Sequence, residues 1–334
     1  MVIDKNDIVK LAVDAYKGKV AGNYSINDSM DVLREALIDA NNGSTKLDIK
    51  AIRDGKCAGL FAIIEQIIPK TVIEGLQGDE FFMNFVEYVN TALGNKNEFW
   101  VEDNTFYVVD EIADGTQALR RQRIGGKTPV TIPTVKMGVK FYEELDLVLA
   151  GRIDLNDFIN RVGVSVRRKI YDKIYTAFTG ITATTIGATY FPIAGSYDEN
   201  NLLDLIAHVE SATDKPVTLV GTKKAVRKLA TAIISDSAKE DLYNIGYYGK
   251  FYGTPIITVA QRHKVGTTEF LFDDSVIYVI PTGIKPIKFV TEGEDLILPG
   301  EATKNQDLTI EYLYYTKNGV GVIATEAFGI YDMT

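Results

Sequence analysis

The chain contains 334 residues, of which 46% are hydrophobic and 24% charged, and its formal net charge is -9. This length and composition are typical of a globular protein that can bury a sizeable core. The acidic balance argues against tight, direct binding of nucleic acid, because phosphate contacts require clustered lysine and arginine. It does not argue against a protein that encloses nucleic acid behind an acidic wall.

Residues 1–95 predict an N-terminal arm of short helical segments joined by polar loops. Asp28 or Ser29 is expected to cap the second helix, and Pro69 is expected to end the third. Because each segment is short, we expect an arm that packs on something else rather than a self-sufficient domain. One further helical face is predicted from the apolar residues Phe81, Phe82, Phe85, Val86 and Val89.

Residues 96–138 predict a long, exposed β-hairpin whose two arms carry opposite charges. The rising arm at 98–111 is β-rich and acidic, whereas the returning arm carries a basic cluster at 120–127. Apolar and polar residues then alternate from Val135 to Phe141, which predicts a strand with one buried face. A hairpin of this length cannot bury all of its own apolar side chains, and these need a partner to cover them: Trp100, Phe106, Tyr107 and Val109.

The charges of the hairpin favour a contact between copies of the chain. No aromatic residues alternate with the basic cluster, which argues against a nucleic-acid site, whereas arms of opposite sign can pair with a neighbouring copy. A merely solvated hairpin is the alternative, since exposed ion pairs contribute little to stability. The candidate inter-subunit contact residues are Trp100, Glu102, Asp103, Asp110, Glu111, Arg120, Arg121, Arg123 and Lys127.

A long amphipathic helix is predicted after the hairpin. It is expected to open at Gly151 and Asp154, with Asp154 as the N-cap and Asp157 three residues later in the manner of a capping box. Gly180 is expected to end it, which gives a length of roughly 37 Å. Its apolar stripe consists of Leu155, Ile159, Val162, Val166, Ile170, Ile174 and Phe178.

The remainder of the chain predicts an α/β region followed by a hairpin. A helix capped by Asn200 or Asn201, a buried strand at 217–220 and a helix that starts at Gly221-Thr222 form a helix–strand–helix order. A closing hairpin is predicted around Asn318-Gly319, because Asn-Gly between alternating strands is the strongest short hairpin signal. Further strands are expected at 254–260, 269–272, 276–280, 287–290, 308–316 and 320–325.

The sequence contains no convincing motif for catalysis or metal binding. His208 and His263 are far apart and belong to no metal-ligand pattern, so structural roles are expected for both. Gly221 precedes Thr-Lys-Lys but lacks the first glycine of a phosphate-binding loop, and we interpret it as part of a helix start. Glu143-Glu144 could form a carboxylate pair, although a charged junction explains it equally well. We predict no enzyme activity, no cofactor and no metal site.

The lack of a predicted signal sequence or membrane span, together with the single cysteine, predicts a cytoplasmic protein. No stretch is apolar for long enough to span a bilayer, and the N-terminus begins with Asp4, Lys5 and Asp7 instead of a hydrophobic signal core. The single cysteine, Cys57, excludes an internal disulfide, and its apolar neighbours predict a small buried hydrophobe.

The order and lengths of these elements, over about residues 75–334, resemble the major capsid protein of tailed bacteriophages, the Hong Kong 97 type fold shared with bacterial encapsulins. The resemblance rests on the arm ending in Asp79-Glu-Phe-Phe-Met, the long hairpin, the helix from Glu144 to Phe178 and the turn in Gly249-Lys-Phe-Tyr-Gly-Thr-Pro. It implies an α+β fold with four parts: an N-terminal helical arm at 1–95, an extended loop at 96–138, a peripheral domain with the spine helix at 139–195 and 296–334, and an axial domain at 196–295.

The resemblance implies a structural role rather than catalysis. Copies would form pentamers and hexamers of an icosahedral virion shell around double-stranded DNA, assembled in the cytoplasm of a bacterial host. The extended loop would cross an adjacent subunit, and the loop at 235–253 would meet other copies at capsomer centres, which makes Tyr247 and Tyr248 candidate contacts. Some relatives crosslink a loop lysine to an asparagine. Lys127 lies near a suitable place, but the sequence shows no catalytic partner for it, so whether the subunits crosslink stays open.

The implied partners are portal and scaffolding proteins and a decoration protein, with no membrane and no sequence-specific contact to the enclosed DNA. An encapsulin-type compartment is the nearest alternative, and the helical arm at 1–75 favours the phage shell over it. More distant alternatives are a tail or baseplate protein and a soluble α/β enzyme whose site is assembled from scattered carboxylates.

Overall fold

The computed structural model shows an α+β protein in which helices pack against two mixed sheets, as the sequence predicts. It describes residues 5–18, 26–101, 107–111, 121–123, 125–142, 144–181, 190–231, 249–264, 266–300 and 311–333. Within these ranges, no helix is both long enough and apolar enough to cross a membrane.

The helices and strands are numbered in chain order. The helices are α1 (Lys5–Tyr16), α2 (Ile26–Ala40), α3 (Ile49–Arg53), α4 (Ala58–Gln77), α5 (Glu80–Phe85), α6 (Glu144–Leu149), α7 (Leu155–Thr179), α8 (Glu199–Thr213) and α9 (Lys223–Arg227), followed by a 3-10 turn at Lys228–Thr231. The strands are β1 (Val86–Thr91), β2 (Glu98–Val101), β3 (Thr128–Thr131), β4 (Val135–Tyr142), β5 (Tyr190–Ala194), β6 (Val217–Thr222), β7 (Lys250–Phe251), β8 (Thr254–Val259), β9 (Val276–Pro281), β10 (Ile287–Glu292), β11 (Leu296–Pro299), β12 (Glu311–Val322) and β13 (Phe328–Asp332).

The N-terminal helices share the main hydrophobic core with α7 and with the first sheet, so they do pack on the rest of the chain. The prediction that Pro69 ends a helix is wrong, because α4 continues through it. Ile67, Ile68 and Leu76 are fully buried in this core, and α4 lies against α7. Burial of this apolar face outweighs the single backbone hydrogen bond that proline removes.

Two other local predictions for the N-terminal region are also corrected. Helix α2 already begins at Ile26, which places Asp28 and Ser29 in its first turn rather than at the N-cap. The expected helical face at 81–89 divides after Phe85: the short helix α5 ends there and Val86–Thr91 becomes β1. Parallel pairing with β10 decides this conformation, which no pattern within the segment itself indicates.

The long helix after the hairpin is confirmed, at 25 residues or roughly 37 Å. The residues of its predicted stripe from Ile159 to Phe178 are buried. Asp154 occupies the predicted N-cap position, although its side chain accepts no capping hydrogen bond. Helix α6 precedes α7, and Gly151 makes the intervening turn at φ +70°. Gly180 does follow the helix, with its N–H donating to the carbonyl of Thr176 at 3.1 Å.

The first sheet has the strand order β1-β10-β12-β11, with β4 paired to β12. Strand β12 is its centre, because β10 and β11 pair along one edge and β4 along the other. Tyr312 and Tyr314 are buried on the side of the main core, where α7 contacts β12. The alternation predicted for residues 135–141 is present in β4, although Val135 itself is exposed.

The predicted hairpin at Asn318-Gly319 is wrong, because both residues lie inside the continuous strand β12. Asn318 pairs with Val135 on one side and Thr291 on the other, is fully buried, and accepts a hydrogen bond from Lys173 Nζ at 2.9 Å. A Cβ atom at Gly319 would lie 2.5 Å from the carbonyl oxygen of Pro133. The glycine therefore allows a close backbone approach rather than a turn.

Replacing Gly319 with alanine is expected to destabilise the protein by about 1–3 kcal/mol, since the obstructing atom belongs to the backbone and cannot rotate away. Denaturant unfolding of the purified protein measures this change. Gly249→Ala is the matched control, because a Cβ there meets nothing within 4 Å, and its effect should stay within about 0.5 kcal/mol. Equal unfolding midpoints for the two variants would contradict the close approach.

The second sheet has the strand order β5-β13-β9-β6-β8-β7. Strand β6 is buried throughout, as predicted, and the hydroxyl of Thr222 accepts from the N–H of Ala225 to cap α9. The expected cap of α8 at Asn200 or Asn201 is wrong: Asp198 accepts from the N–H of Asn200 at 2.8 Å. The strand expected at 269–272 is reduced to an isolated bridge between His263 and Phe270.

Strands exchange between the two sheets in a way that the predicted domain ranges do not follow. β5 and β13 lie in ranges assigned to the peripheral domain, yet they pair in the second sheet. β10 lies in the range assigned to the axial domain, yet it pairs with β1 and β12 in the first sheet. The division into four parts stays a prediction.

Candidate assembly interface

The base of the hairpin is a four-residue antiparallel ladder between β2 and β3. Of the predicted strand at 98–111, the structure describes Glu98–Val101 as β2, and it describes residues 107–111 without strand pairing. The alternating strand β4, which the prediction placed at the end of the returning arm, pairs with β12 instead. Residues 132–134 separate β3 from β4, so the hairpin proper is shorter than predicted.

The base of the hairpin is fixed on the outer face of the first sheet, opposite the main core. Val101 and Ile132 from the hairpin form a small buried cluster with Val290 of β10 and Ile323. Asn97 is buried, and its side-chain amide donates to the carbonyl of Ile132 at 2.9 Å. These contacts anchor one end of the hairpin, so that the projecting segments start from a defined position.

Glu292 supplies a polar anchor beside this cluster and was missed by the sequence analysis. Its carboxylate accepts from Lys317 Nζ at 2.6 Å, from the N–H of Gly94 at 3.1 Å and from the hydroxyl of Thr134. The hydrogen bonds from Lys317, Thr134 and Gly94, in that order, lower the pKa of Glu292 to about 2. In the sequence, Glu292 is recognisable only by its place close to the end of a predicted strand, and no local motif marks it as an anchor.

The lowered pKa of Glu292 predicts a loss of stability in acid. A carboxylate whose pKa is depressed in the folded state stabilises the protein above its unfolded pKa, near 4.5, and this contribution is lost as the pH falls toward 2. Glu292→Gln should therefore be less stable than the wild type at pH 7, and the difference should shrink between pH 4.5 and pH 2. Thermal unfolding at a series of pH values measures it.

Glu98→Gln is the control for this prediction, because Glu98 is exposed on β2. It should keep the pH dependence of the wild type. A Glu292→Gln variant with the same acid profile as the wild type would contradict the anchor.

The predicted contact residues that the structure describes lie at the surface. The side chain of Trp100 is 55% exposed, and Asp110, Glu111, Arg121 and Arg123 are also exposed. Lys127 is exposed as well and interacts with other residues. The remaining candidates lie outside the described residues: Glu102, Asp103, Arg120, Tyr247 and Tyr248.

The projecting arms are adjacent to each other and carry exposed apolar side chains. The N–H of Val108 donates to Gln122 Oε1 at 2.8 Å, and Gln122 Nε2 donates to the carbonyl of Val108 at 2.6 Å. Tyr107, Val108 and Val109 are 53%, 66% and 93% exposed. The expectation that the hairpin cannot bury its apolar residues is confirmed for Trp100, Tyr107 and Val109. Val108 is an addition, and Phe106 lies outside the described residues.

The two histidines considered for catalysis are exposed, and each stacks on an aromatic ring. The rings of His208 and Phe191 stack at 5.5 Å, and those of His263 and Phe270 at 5.2 Å. Cys57 is buried, as predicted, and burial raises the pKa of its thiol. Among the residues that the structure describes, no three histidine, cysteine or acidic side chains are grouped to hold a metal ion. The side chains of Glu143 and Glu144 lie outside that description.

Comparison with solved structures finds similarity to shell proteins at low sequence identity. The virus-like particle of Pyrococcus furiosus shares 15% identity, covering 78% of this chain and 96% of that chain at a TM-score of 0.45. The mature capsid of bacteriophage PhiM1 shares 11% identity, covering 76% of this chain and 87% of that chain at a TM-score of 0.48. The acid-stable capsid of the Helicobacter pylori bacteriophage KHP30 shares 10% identity, covering 76% of this chain and 91% of that chain at a TM-score of 0.47.

Among curated proteins, no sequence matches the chain. A protein-family model does match, over residues 7–332, which is nearly the whole sequence. The family is one of capsid proteins, and a capsid subunit works by forming a shell rather than by catalysis. The chain belongs to the family described as "SPbeta prophage-derived putative capsid protein YonB".

Proposed function

We propose that this capsid protein assembles as pentamers and hexamers into an icosahedral shell with the Hong Kong 97 type of subunit, and that the shell encloses the double-stranded DNA of a phage. The observation that carries the proposal is the match to a capsid family over residues 7–332. Assembly takes place in the cytoplasm of the bacterial host. Portal, scaffolding and decoration proteins are the partners of such a shell.

The exposed apolar side chains of the hairpin also support this proposal. Tyr107, Val108 and Val109 are three consecutive apolar residues of the hairpin, and all three are exposed. Such a surface promotes non-specific aggregation unless another protein covers it. In a closed shell every copy both offers and receives the same contact, and many individually weak contacts add up.

The net charge of -9 is consistent with a shell that surrounds DNA without reading it. Sequence-specific or tight binding would need clustered cations at the phosphates. We therefore propose that the enclosed DNA is held by confinement within the shell, with no sequence-specific contact from this subunit.

Electron microscopy of the purified protein tests the proposal, with the protein expressed alone and together with the products of neighbouring genes. Closed shells, or rings of five and six subunits, are the expected result, and nuclease-protected DNA should be recovered from shells made in the complete system. Shells that contain protein cargo and no DNA would instead indicate an encapsulin-type compartment. A particle that stays small and monodisperse under all of these conditions would overturn the proposal.

A further inference from the structure

Strand β4 forms a long free edge of the first sheet. In the described part of the chain it pairs with β12 alone, over eight consecutive residues from Val135 to Tyr142 and without a bulge. In an antiparallel strand, alternate residues direct their N–H and C=O groups away from the partner. On β4 these groups therefore form a template for a further strand.

Among the outermost strands of the two sheets that the structure describes, β4 is the longest. Strands β1, β5 and β11 have six, five and four residues, and β7 has two. Strand β5 also contains Pro192, and β11 ends at Pro299. Short length and proline are common means by which a protein prevents unwanted pairing at an edge. Strand β4, with eight residues and no proline, uses neither.

The two lysines of β4 do not protect this edge. A lysine on an edge strand normally opposes pairing, because its charge would be placed beside the added strand. Here Lys140 Nζ bonds to the carboxylate of Glu311 at 3.0 Å, and Lys136 Nζ lies 5.4 Å from the ring centre of Tyr315. Glu311 and Tyr315 both belong to β12. The lysine side chains therefore reach across the sheet toward β12 and leave the free edge open.

The apolar side chains of β4 are incompletely covered. On the side of the main core Phe141 is buried, whereas Met137 and Val139 are half-buried against the core and Val135 is 60% exposed. Tyr142, on the other side, is 61% exposed. The core thus ends before it reaches the edge of the sheet, and a further strand beside β4 would cover the remaining apolar surface.

A second copy of β4 can pair with this edge in few registers. Two copies related by a two-fold axis run antiparallel, and their faces must match because side chains alternate along a strand. An axis between two residues would place the core side of one strand beside the outer side of the other. Only an axis at Gly138 or at Val139 matches the faces and keeps seven residues of each strand paired, 135–141 or 136–142.

Charge decides between these two registers. With the axis at Gly138, Lys136 of each copy would lie opposite Lys140 of the other, and like charges directly opposite each other destabilise a sheet. With the axis at Val139, Lys136 lies opposite the aromatic ring of Tyr142 instead. The sequence of β4 is therefore compatible with its own copy in one of the two registers.

We propose that, in the assembled shell, β4 pairs antiparallel with β4 of a second copy of the chain, about a two-fold axis at Val139. The first sheets of the two subunits then form one continuous sheet, and Met137 of each copy lies opposite Phe141 of the other. The contact satisfies the free backbone groups of both edges and covers their half-buried apolar side chains. This inference deepens the assembly function proposed above and rests on it.

A single cysteine tests the register. In assembled particles that carry Val139→Cys, the two thiols lie opposite each other at the axis, and a short bis-maleimide should link the chains in pairs. Val135→Cys is the matched control, because Val135 lies on the same strand and is more exposed. Its two copies would be about 27 Å apart, since eight positions separate them along the paired strands. Val139→Cys should give at least about tenfold more linked pairs than this control, which the short linker cannot span. The native Cys57 is buried and adds no background.

Val139→Lys tests how far assembly depends on the contact. It places two lysines opposite each other at the axis, which should lower the yield of shells about tenfold or more. Val135→Lys is the control, because residue 135 lies outside the paired range 136–142, and its yield should stay within about twofold of the wild type. Thermal unfolding of unassembled subunits checks that both variants are folded. If Val139→Lys impairs folding, the cysteine measurement decides, because cysteine is close to valine in size.

The outcomes separate this inference from the proposed function. If the wild type forms shells and Val139→Cys gives no more linked pairs than Val135→Cys, the pairing is wrong and the shell function stands. The same conclusion follows if folded Val139→Lys subunits assemble as well as the wild type. A Val139→Cys thiol that is neither linked nor open to a single maleimide would overturn the pairing by showing that a different segment covers β4. If the wild type forms no shells under any condition, the proposed function fails, and the pairing that rests on it fails too.

Discussion

Phe178→Ala is expected to lower the free energy of unfolding by about 3–5 kcal/mol, the range for truncation of a fully buried aromatic side chain. Phe178 lies at the end of α7 and is completely buried. Its ring is 5.2 Å from that of Phe81 in α5 and 4.5 Å from that of Tyr278 in β9. The side chain therefore joins the N-terminal region, the long helix and the second sheet, and its loss leaves a cavity where all three meet.

Denaturant unfolding of unassembled protein measures this effect. Phe270→Ala is the matched control, because the Phe270 side chain is 57% exposed, and it should cost about 1 kcal/mol or less. If the two variants unfold at the same denaturant concentration, Phe178 does not hold the three parts together. A much smaller effect at Phe178 would mean that the neighbouring rings close the cavity.

Deletion of residues 110–127 is expected to abolish shell formation while the subunit still folds. The ladder from Glu98–Val101 to Thr128–Thr131 lies outside the deletion, as do the buried contacts of Val101 and Ile132. The deletion removes the charged residues 110–111 and 120–127 of the two hairpin arms but none of the main core. Thermal unfolding should therefore show a cooperative transition close to that of the wild type, and electron microscopy should show no closed shells.

A variant in which the same residues are replaced by a glycine–serine linker of equal length is the control for this deletion. It keeps the reach of the loop but removes its side chains, and it should also fail to assemble. Normal shells from the deletion variant would count heavily against the hairpin as an assembly contact. Shells from the linker variant alone would show that the length of the loop matters and its side chains do not.

Helix α7 and strand β4 illustrate what periodicity can predict. A spacing of three and four along residues 155–178 places one face of a helix in the core wherever that core lies, so the long helix is confirmed. Alternation along 135–141 similarly requires one face of β4 to be more buried than the other. In both cases the signal is contained within the segment and does not depend on its partner.

Local signals failed where a distant partner supplied more energy than the local preference. Pro69 lies inside α4 because the helix buries its apolar face against α7. Asn318-Gly319 lies inside β12 because strands pair on both of its edges there and Pro133 approaches the glycine closely. A turn preference of one dipeptide cannot compete with a ladder whose strands come from residues about 180 and 30 positions earlier in the chain.

Some features of the candidate interface could be predicted from the sequence, and others depend on the tertiary structure. The sequence by itself determined the long helix, the charged arms of the hairpin and the exposure of Trp100, Tyr107 and Val109, because composition and periodicity act within short segments. The α+β class followed from the resemblance to a capsid family. Only the tertiary structure decided that β4 belongs to the first sheet, that Glu292 anchors the hairpin, and that β11 pairs with β12. These features are made by residues far apart in the chain, and pairing between strands brings them together.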